Sequence, residues 1–241
     1  MRILLIFLWL INGSVVAETI VIRIAVAANF NATLQQVVAN YETETGTKIE
    51  ISVASSGVLY QQIVHGAPFD LFLSADTVRP AALYEQQLAL GKPFTYVRGA
   101  LAFWCPTCER LSLDTVASWR ARVAMANPNT APYGAAAAEV VRHLHWSSTI
   151  PPAVGNSVSQ AYQFIATGNV AGGFVAYSQV IDQPSQAIKL PVEWYTPIVQ
   201  QGVVLKRSQY PEQTNAFVNY LLSQGQREVL KMGYLATDVV L

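Results

Sequence analysis

The chain has 241 residues, 15 Lys and Arg against 15 Asp and Glu, and a formal net charge of zero, with charged residues only 12% of the total. That balance contains no basic run, which excludes nucleic acid and anionic lipid as expected partners. Any anion this protein takes must be held by neutral dipoles or by isolated cations.

Residues 1–17 read as a secretory leader. Arg2 supplies a positive start, Ile3 to Ile11 an apolar stretch, and Val15-Val16-Ala17 suits cleavage before Glu18. The stretch is shorter than the roughly 18 apolar residues of a membrane span, and no later run reaches that length. An exported protein without stable membrane insertion is expected. About 220 residues remain, room for one large domain or two lobes of roughly 100 residues each.

The first elements after the leader follow a regular order. Ile22 to Phe30 and Ile49 to Gly57 each read as a buried strand ending in small or uncharged polar residues where a helix should begin. Between them, Asn31 to Glu44 carries Leu34, Val37, Val38 and Tyr41 at helical spacing, with Gly46 as C-cap. Val58 to His65 predicts a short helix, Leu71 to Ser74 a buried strand, and Arg79 to Leu88 another helix. This β-α-β-α-β-α order implies parallel strands covered by helices on both faces.

A second series starts with the strand-like run Val97 to Phe103. A helix is expected around Leu113 to Arg120, a strand at Arg122 to Ala126, and a helix from about Gly134 to His145. A further helix follows the turn Gly155-Asn156-Ser157, then a strand at Gly173 to Tyr177 and an extended run from Val192 to Leu205. Pro211 to Tyr234 reads as helical with a break at Gly225. The strand-rich passages near 97–103 and 195–205 suit two hinge crossings between two α/β lobes, 18–97 plus 203–241 and 98–202. One continuous sheet without a cleft is the alternative.

The only cysteines form Trp104-Cys105-Pro106-Thr107-Cys108. In an exported chain the spacing fits a structural disulfide, a free pair, or the redox motif of a periplasmic thiol–disulfide protein. Haem attachment is excluded, because Glu109 stands where a His is required. No zinc set is evident. His143 and His145 are two residues apart, on different faces of a helix, and no nucleophile elbow, phosphate loop or zinc-protease motif occurs. Asp70 and Asp76 read as structural caps. No enzyme is expected.

Binding is better supported than catalysis. Open α/β sheets take ligands beyond the carboxyl ends of their strands, and a helix start there offers unpaired N–H groups and partial positive charge. Asn29 and Ser56 occupy such places after the first two strands, with Ala28 and Ser55 beside them. Tyr133 and Val158 occupy them in the second series. Each alone reads as ordinary capping; four together point to a cleft for a small oxyanion.

The segments Ala27-Ala28-Asn29-Phe30, Ala54 to Ile63, Gly66-Ala67-Pro68-Phe69-Asp70 to Asp76 and Gly173 to Gln179 resemble the molybdate-binding periplasmic protein family, in order and over nearly the whole mature chain. The resemblance implies a two-lobed type II periplasmic binding fold with parallel-rich sheets, and a periplasmic monomer that delivers molybdate or tungstate to an ABC permease. It implies no cofactor and no direct protein ligand to molybdenum. Carried over by position, the contacts fall on Asn29, Ser56, Tyr133 and Val158, with Ala28 and Ser55 as neighbours. Two positions depart from some members: Asn29 replaces a Ser, and Ala176 replaces a ligand-contacting Tyr. Ala176 and the adjacent Tyr177 stay additional candidates; neighbouring strand residues face opposite ways, so the replacement donor is either the Tyr177 or the Tyr133 hydroxyl. Sulfate or another tetrahedral oxyanion is the alternative ligand.

Overall fold

The computed structural model describes residues 20–146 and 150–236, so the expected leader at 1–17 lies outside the described residues. The apolar run after it forms β1 (Val21–Ala27). A 3-10 turn (Ala28–Phe30) then leads into α1 (Asn31–Thr45), which ends on Gly46 at φ +72° with its N–H on the Glu42 carbonyl. Only glycine adopts that left-handed turn without strain. Next come β2 (Lys48–Ala54), α2 (Ser56–Val64), β3 (Leu71–Leu73), α3 (Val78–Glu85) and β4 (Phe94–Gly99).

The expected single run at 97–103 is two strands. β4 ends at Gly99 and β5 (Leu101–Trp104) begins after Ala100 in a different sheet. There follow α4 (Leu113–Ala117), β6 (Val123–Ala126), α5 (Pro132–His143), β7 (Ala153–Gly155), α6 (Val158–Ala166), β8 (Gly172–Ala176) and β9 (Ala187–Lys189). The extended run expected from Val192 starts instead as a 3-10 turn, Val192–Trp194, behind Pro191. Only β10 (Ile198–Val204) is strand, and α7 (Pro211–Leu222) and α8 (Gln226–Lys231) close the chain on either side of the anticipated break at Gly225.

The strands form two five-stranded sheets, ordered β2-β1-β3-β10-β4 and β7-β6-β8-β5-β9. β1 runs parallel to β2 and β3, and β6 parallel to β7 and β8. β10 is antiparallel to β3 and β4, and β5 to β8 and β9. Both sheets are therefore mixed, since the chain order predicted only the parallel half of each. β2 corrects another expectation: it is an edge strand, largely exposed, because among the described residues no strand pairs with its outer side.

Burial of apolar faces explains the layering. Ile22, Ile24 and Val26 face Leu34, Val37, Phe217 and Leu221 of α1 and α7, while Ala25 and Phe72 face Leu59, Ile63 and Leu83 of α2 and α3. In the second sheet Leu101, Phe103 and Phe174 pack on Val116, Ala137 and Val140, and Ala102, Trp104 and Val175 on Ala161 and Ile165. Two covered faces per sheet give each its own core.

Cys105 and Cys108 are joined as a disulfide, Cys105 being buried. No helix begins at the pair; the next is α4 at Leu113. The helix-start stabilisation that lowers a redox cysteine's pKa is therefore missing. Replacing both cysteines by Ser should lower unfolding free energy by about 2 kcal/mol, the loop-closure value for so short a ring. It should leave ligand affinity unchanged, a pair of results checked by denaturation and calorimetry on one preparation.

Candidate functional site

Four helix starts meet at one point between the sheets. β1 delivers the Ala28–Phe30 turn, β2 delivers Ser55 and the first residue of α2, Ala131 and Pro132 start α5, and Ser157 caps α6. Together they line a small cavity of about 10 Å³. Ala28, Asn29, Ser55, Ser56, Tyr133 and Val158 all line it, so residues far apart in the chain are brought together. Among the described residues, none that lines it is charged.

The cavity is rich in donors. Ser56 and Val158 are first residues and Tyr133 a second residue of their helices, where a backbone N–H has no acceptor within the helix. Ser56 Oγ accepts the Ala75 N–H at 2.9 Å, which leaves its own proton to donate. Ordinary capping does not account for the other serine: Ser55 stands at the N-cap of α2 without a capping bond. Its buried Oγ has no hydrogen-bond partner among the described residues. Of these four starts, that of α6 is capped in the usual way, Ser157 accepting the Gln160 N–H at 3.3 Å.

Elements of the two sheets touch around this point. Gly57 N–H donates to the Thr130 carbonyl at 2.9 Å, Ser159 Oγ to the Ala28 carbonyl at 3.2 Å, and Arg79 Nη2 to the Asn129 carbonyl at 3.3 Å. A larger open groove of about 870 Å³ lies alongside. It carries the carboxylates of Asp76 and Glu139, and its Arg79 is already paired with Asp76. An anion finds less to bind there than in the neutral cavity.

Residues 22–235 match the family pattern of bacterial extracellular solute-binding proteins. The chain belongs to this family. It is 40% identical over 219 residues to the molybdate-binding protein ModA of Rhodobacter capsulatus, covering 88% of this chain and 86% of the relative. ModA of Azotobacter vinelandii is 35% identical, with 89% of each chain covered. The solved periplasmic molybdate-binding protein of Azotobacter vinelandii superimposes with a TM-score of 0.85 at 32% identity, over 90% of this chain and all of that one. The sulfate-binding protein SubI of Mycobacterium tuberculosis shares the fold at a TM-score of 0.73 and 15% identity, over 91% of this chain and 88% of that one.

In this solute-binding protein the side chain of Asn29 faces inward, away from a simple donor role. Its Nδ2 donates to Gln200 Oε1 at 2.9 Å and to the Tyr234 hydroxyl at 3.2 Å, which engages both amide protons. Tyr234 in turn donates to the Asn29 carbonyl at 2.6 Å and accepts from Ser178 Oγ at 3.1 Å. The Tyr133 hydroxyl, expected as an alternative donor, lies against Gly99 and accepts from Gln200 Nε2 at 3.4 Å. The Asn29 amide is therefore engaged behind the cavity, while Tyr133 stands at a helix start whose backbone N–H has no acceptor within the helix.

Ala176 and Tyr177 do not line the cavity. Ala176 ends β8, its N–H on Gln179 Oε1, and Tyr177 donates its N–H to the Ala100 carbonyl. Tyr177 is not a strand residue as expected: it opens a 3-10 turn, Tyr177–Gln179, which carries its ring to within 4.6 Å of Lys189 Nζ. The sequence reading missed Ala75, Ser157, Gln200 and Tyr234. Gln200 had a signal, an amide inside the apolar stretch Ile198–Val204. Tyr234 had none, because its role depends on where the chain end returns. No His, Cys, Asp and Glu cluster suited to a metal ion occurs among the described residues.

Burial pushes the Tyr96 and Tyr133 hydroxyls well above the ordinary tyrosine value, and Tyr234 up to about 12, where bonds from Ser178 and Asn29 partly offset it. A folded-state pKa raised above 10 means stability that is intact below pH 10 and lost as pH climbs toward 12. Unfolding free energy should not vary with the titration of these tyrosines between pH 7 and about 9.5, and should fall above 10. Replacing Tyr234 by Phe should flatten that alkaline fall in denaturation measured across the range.

Proposed function

We propose that this protein binds molybdate or tungstate in the periplasm and passes it to an ABC permease, as a monomeric carrier and not an enzyme. On this reading residues 1–17 are the export leader. The two sheets are the cores of two lobes that hinge near 97–103 and 195–205. Asn29, Ser56, Tyr133 and Val158, with Ala28 and Ser55, hold the ion.

The observation that carries the proposal is the charge-free cavity built from helix starts and serine hydroxyls. Molybdate at neutral pH is a fully ionised tetrahedral dianion that presents acceptors alone, which suits a wall of donors. Protonated phosphate would bring an O–H that only a serine hydroxyl could accept, turning one of the site's donors to another use at a cost on the order of 1–3 kcal/mol. About six hydrogen bonds to a charged oxyanion, at roughly 1.5–3 kcal/mol each, cover the −8 to −12 kcal/mol of about micromolar to nanomolar affinity. The named ligand of the ModA relatives is consistent with that chemistry.

Calorimetry with molybdate, tungstate, sulfate and phosphate tests this directly. Strong heats are expected with the first two and none with phosphate. Binding of sulfate without molybdate would overturn the assignment in favour of a sulfate carrier. Ser56→Ala should weaken molybdate binding by roughly ten- to a hundredfold while the melting temperature stays within a few degrees. An unchanged affinity would remove Ser56 from the site.

A further inference from the structure

Gln200 is fully buried in the middle of β10, flanked by half-buried Val199 and Gln201. A buried amide is costly unless its donors and acceptors are matched. Here Oε1 takes an Asn29 amide proton at 2.9 Å and lies 3.0 Å from the Tyr96 hydroxyl, while Nε2 reaches the Tyr133 hydroxyl at 3.4 Å. Asn29 lines the cavity from the first sheet and Tyr133 from a helix packed on the second, whereas Gln200 itself stands behind them.

The backbone makes room for this meeting. A Cβ on Gly99 would fall 2.1 Å from the Tyr133 hydroxyl and 2.7 Å from Gln200 Nε2, so the pair can approach only because residue 99 lacks a side chain. Gly99 and Tyr96 belong to β4 and Gln200 to β10, which are the strands by which the chain leaves and re-enters the first sheet.

We propose that Gln200 is a positioning residue that ties anion binding to lobe closure, holding Asn29 in the first lobe and clasping Tyr133 of the second across the hinge. This rests on the reading of the cavity as an anion site between two lobes. One bond fixes Asn29, so that the Ala28–Phe30 turn keeps its N–H groups toward the cavity. The other forms only when the start of α5 lies against the first sheet, which adds stability to the closed state alone. A contact of that kind slows ligand release and leaves capture unaffected.

Stopped-flow binding of molybdate to the full protein tests it. Gln200→Met, which keeps the volume and removes these two bonds together with that from Tyr96, should raise the dissociation rate about tenfold while the association rate stays within about twofold. Tyr133→Phe removes only the cross-hinge acceptor and should raise dissociation in the same sense. It also decides the matter if the Gln200→Met chain does not fold.

Gln200→Glu adds a second readout, the effect of a charge placed behind the cavity. Its carboxylate would sit among Tyr96 of β4, Tyr133 of α5 and Tyr234 beyond α8, with Asp76 acting on Tyr96. Affinity of that variant should fall by up to about tenfold per pH unit as the group ionises, while the unmodified protein is flat between pH 6 and 8. Variants that melt lower yet keep the original dissociation rate and flat profile overturn the inference. If the unmodified protein takes up no molybdate, the proposed function fails and the inference fails with it. Uptake by the unmodified protein alongside unaltered variants overturns the inference alone.

Discussion

Every α-helix begins with N–H groups that have no acceptor inside the helix, and burying such a start is expensive unless something outside supplies one. In this chain the starts of α2, α5 and α6 and the turn before α1 are all directed at one small cavity, and among the described residues no charged side chain lines it. The usual remedy of a capping side chain operates at Ser157 but not at Ser55 or Ala131. The unmet donors and the partial positive charge of the helix dipoles thus accumulate at a single point. A tetrahedral oxyanion is the kind of ligand that satisfies such a set without a counter-charge.

The rest of the fold can be understood as the means of holding those starts in place. Each lies at the carboxyl end of a strand or a short loop beyond it, and the parallel halves of the two sheets point these ends toward each other. The antiparallel strands do a different job. β4 and β10 pair within the first sheet while carrying the chain to and from the second, so the two sheets can approach without being fused. Gly57 and Gly99 sit where the two halves come closest. A side chain at either would strike the Thr130 carbonyl or the Tyr133 hydroxyl.

Behind the cavity, Asn29, Tyr96, Tyr133, Ser178, Gln200 and Tyr234 form a buried network of neutral groups. Burial keeps its tyrosines protonated, so the network places no charge near the cavity over the ordinary pH range. On the proposed reading neutrality matters, because a buried carboxylate or phenolate would repel an anion at the helix starts. Hydrogen bonds among such groups strengthen one another in a low-dielectric interior. Their shared fate also couples residues from both sheets and the end of the chain.

Much of this was legible in the linear sequence, for local reasons. Helical spacing in Asn31 to Glu44, the Gly46 stop and the alternation of strand and helix are encoded over a few residues, and the structure follows them closely. The small and uncharged residues at Ala28-Asn29 and Ser55-Ser56 mark strand ends that lead into helices, and Tyr133 and Val158 mark the corresponding points later. What failed were expectations that depend on distant partners. The run at 97–103 looked like one strand because nothing in it records that Ala100 lies between two sheets. β2 looked buried because apolar content does not reveal an edge. Asn29 looked like an open donor because Gln200 and Tyr234, more than 170 residues away in sequence, are the groups that engage its amide. Sequence alone determined which residues end strands, start helices and carry no charge. Only the tertiary structure decided which donors remain free, because a hydrogen bond is settled by what folds against it.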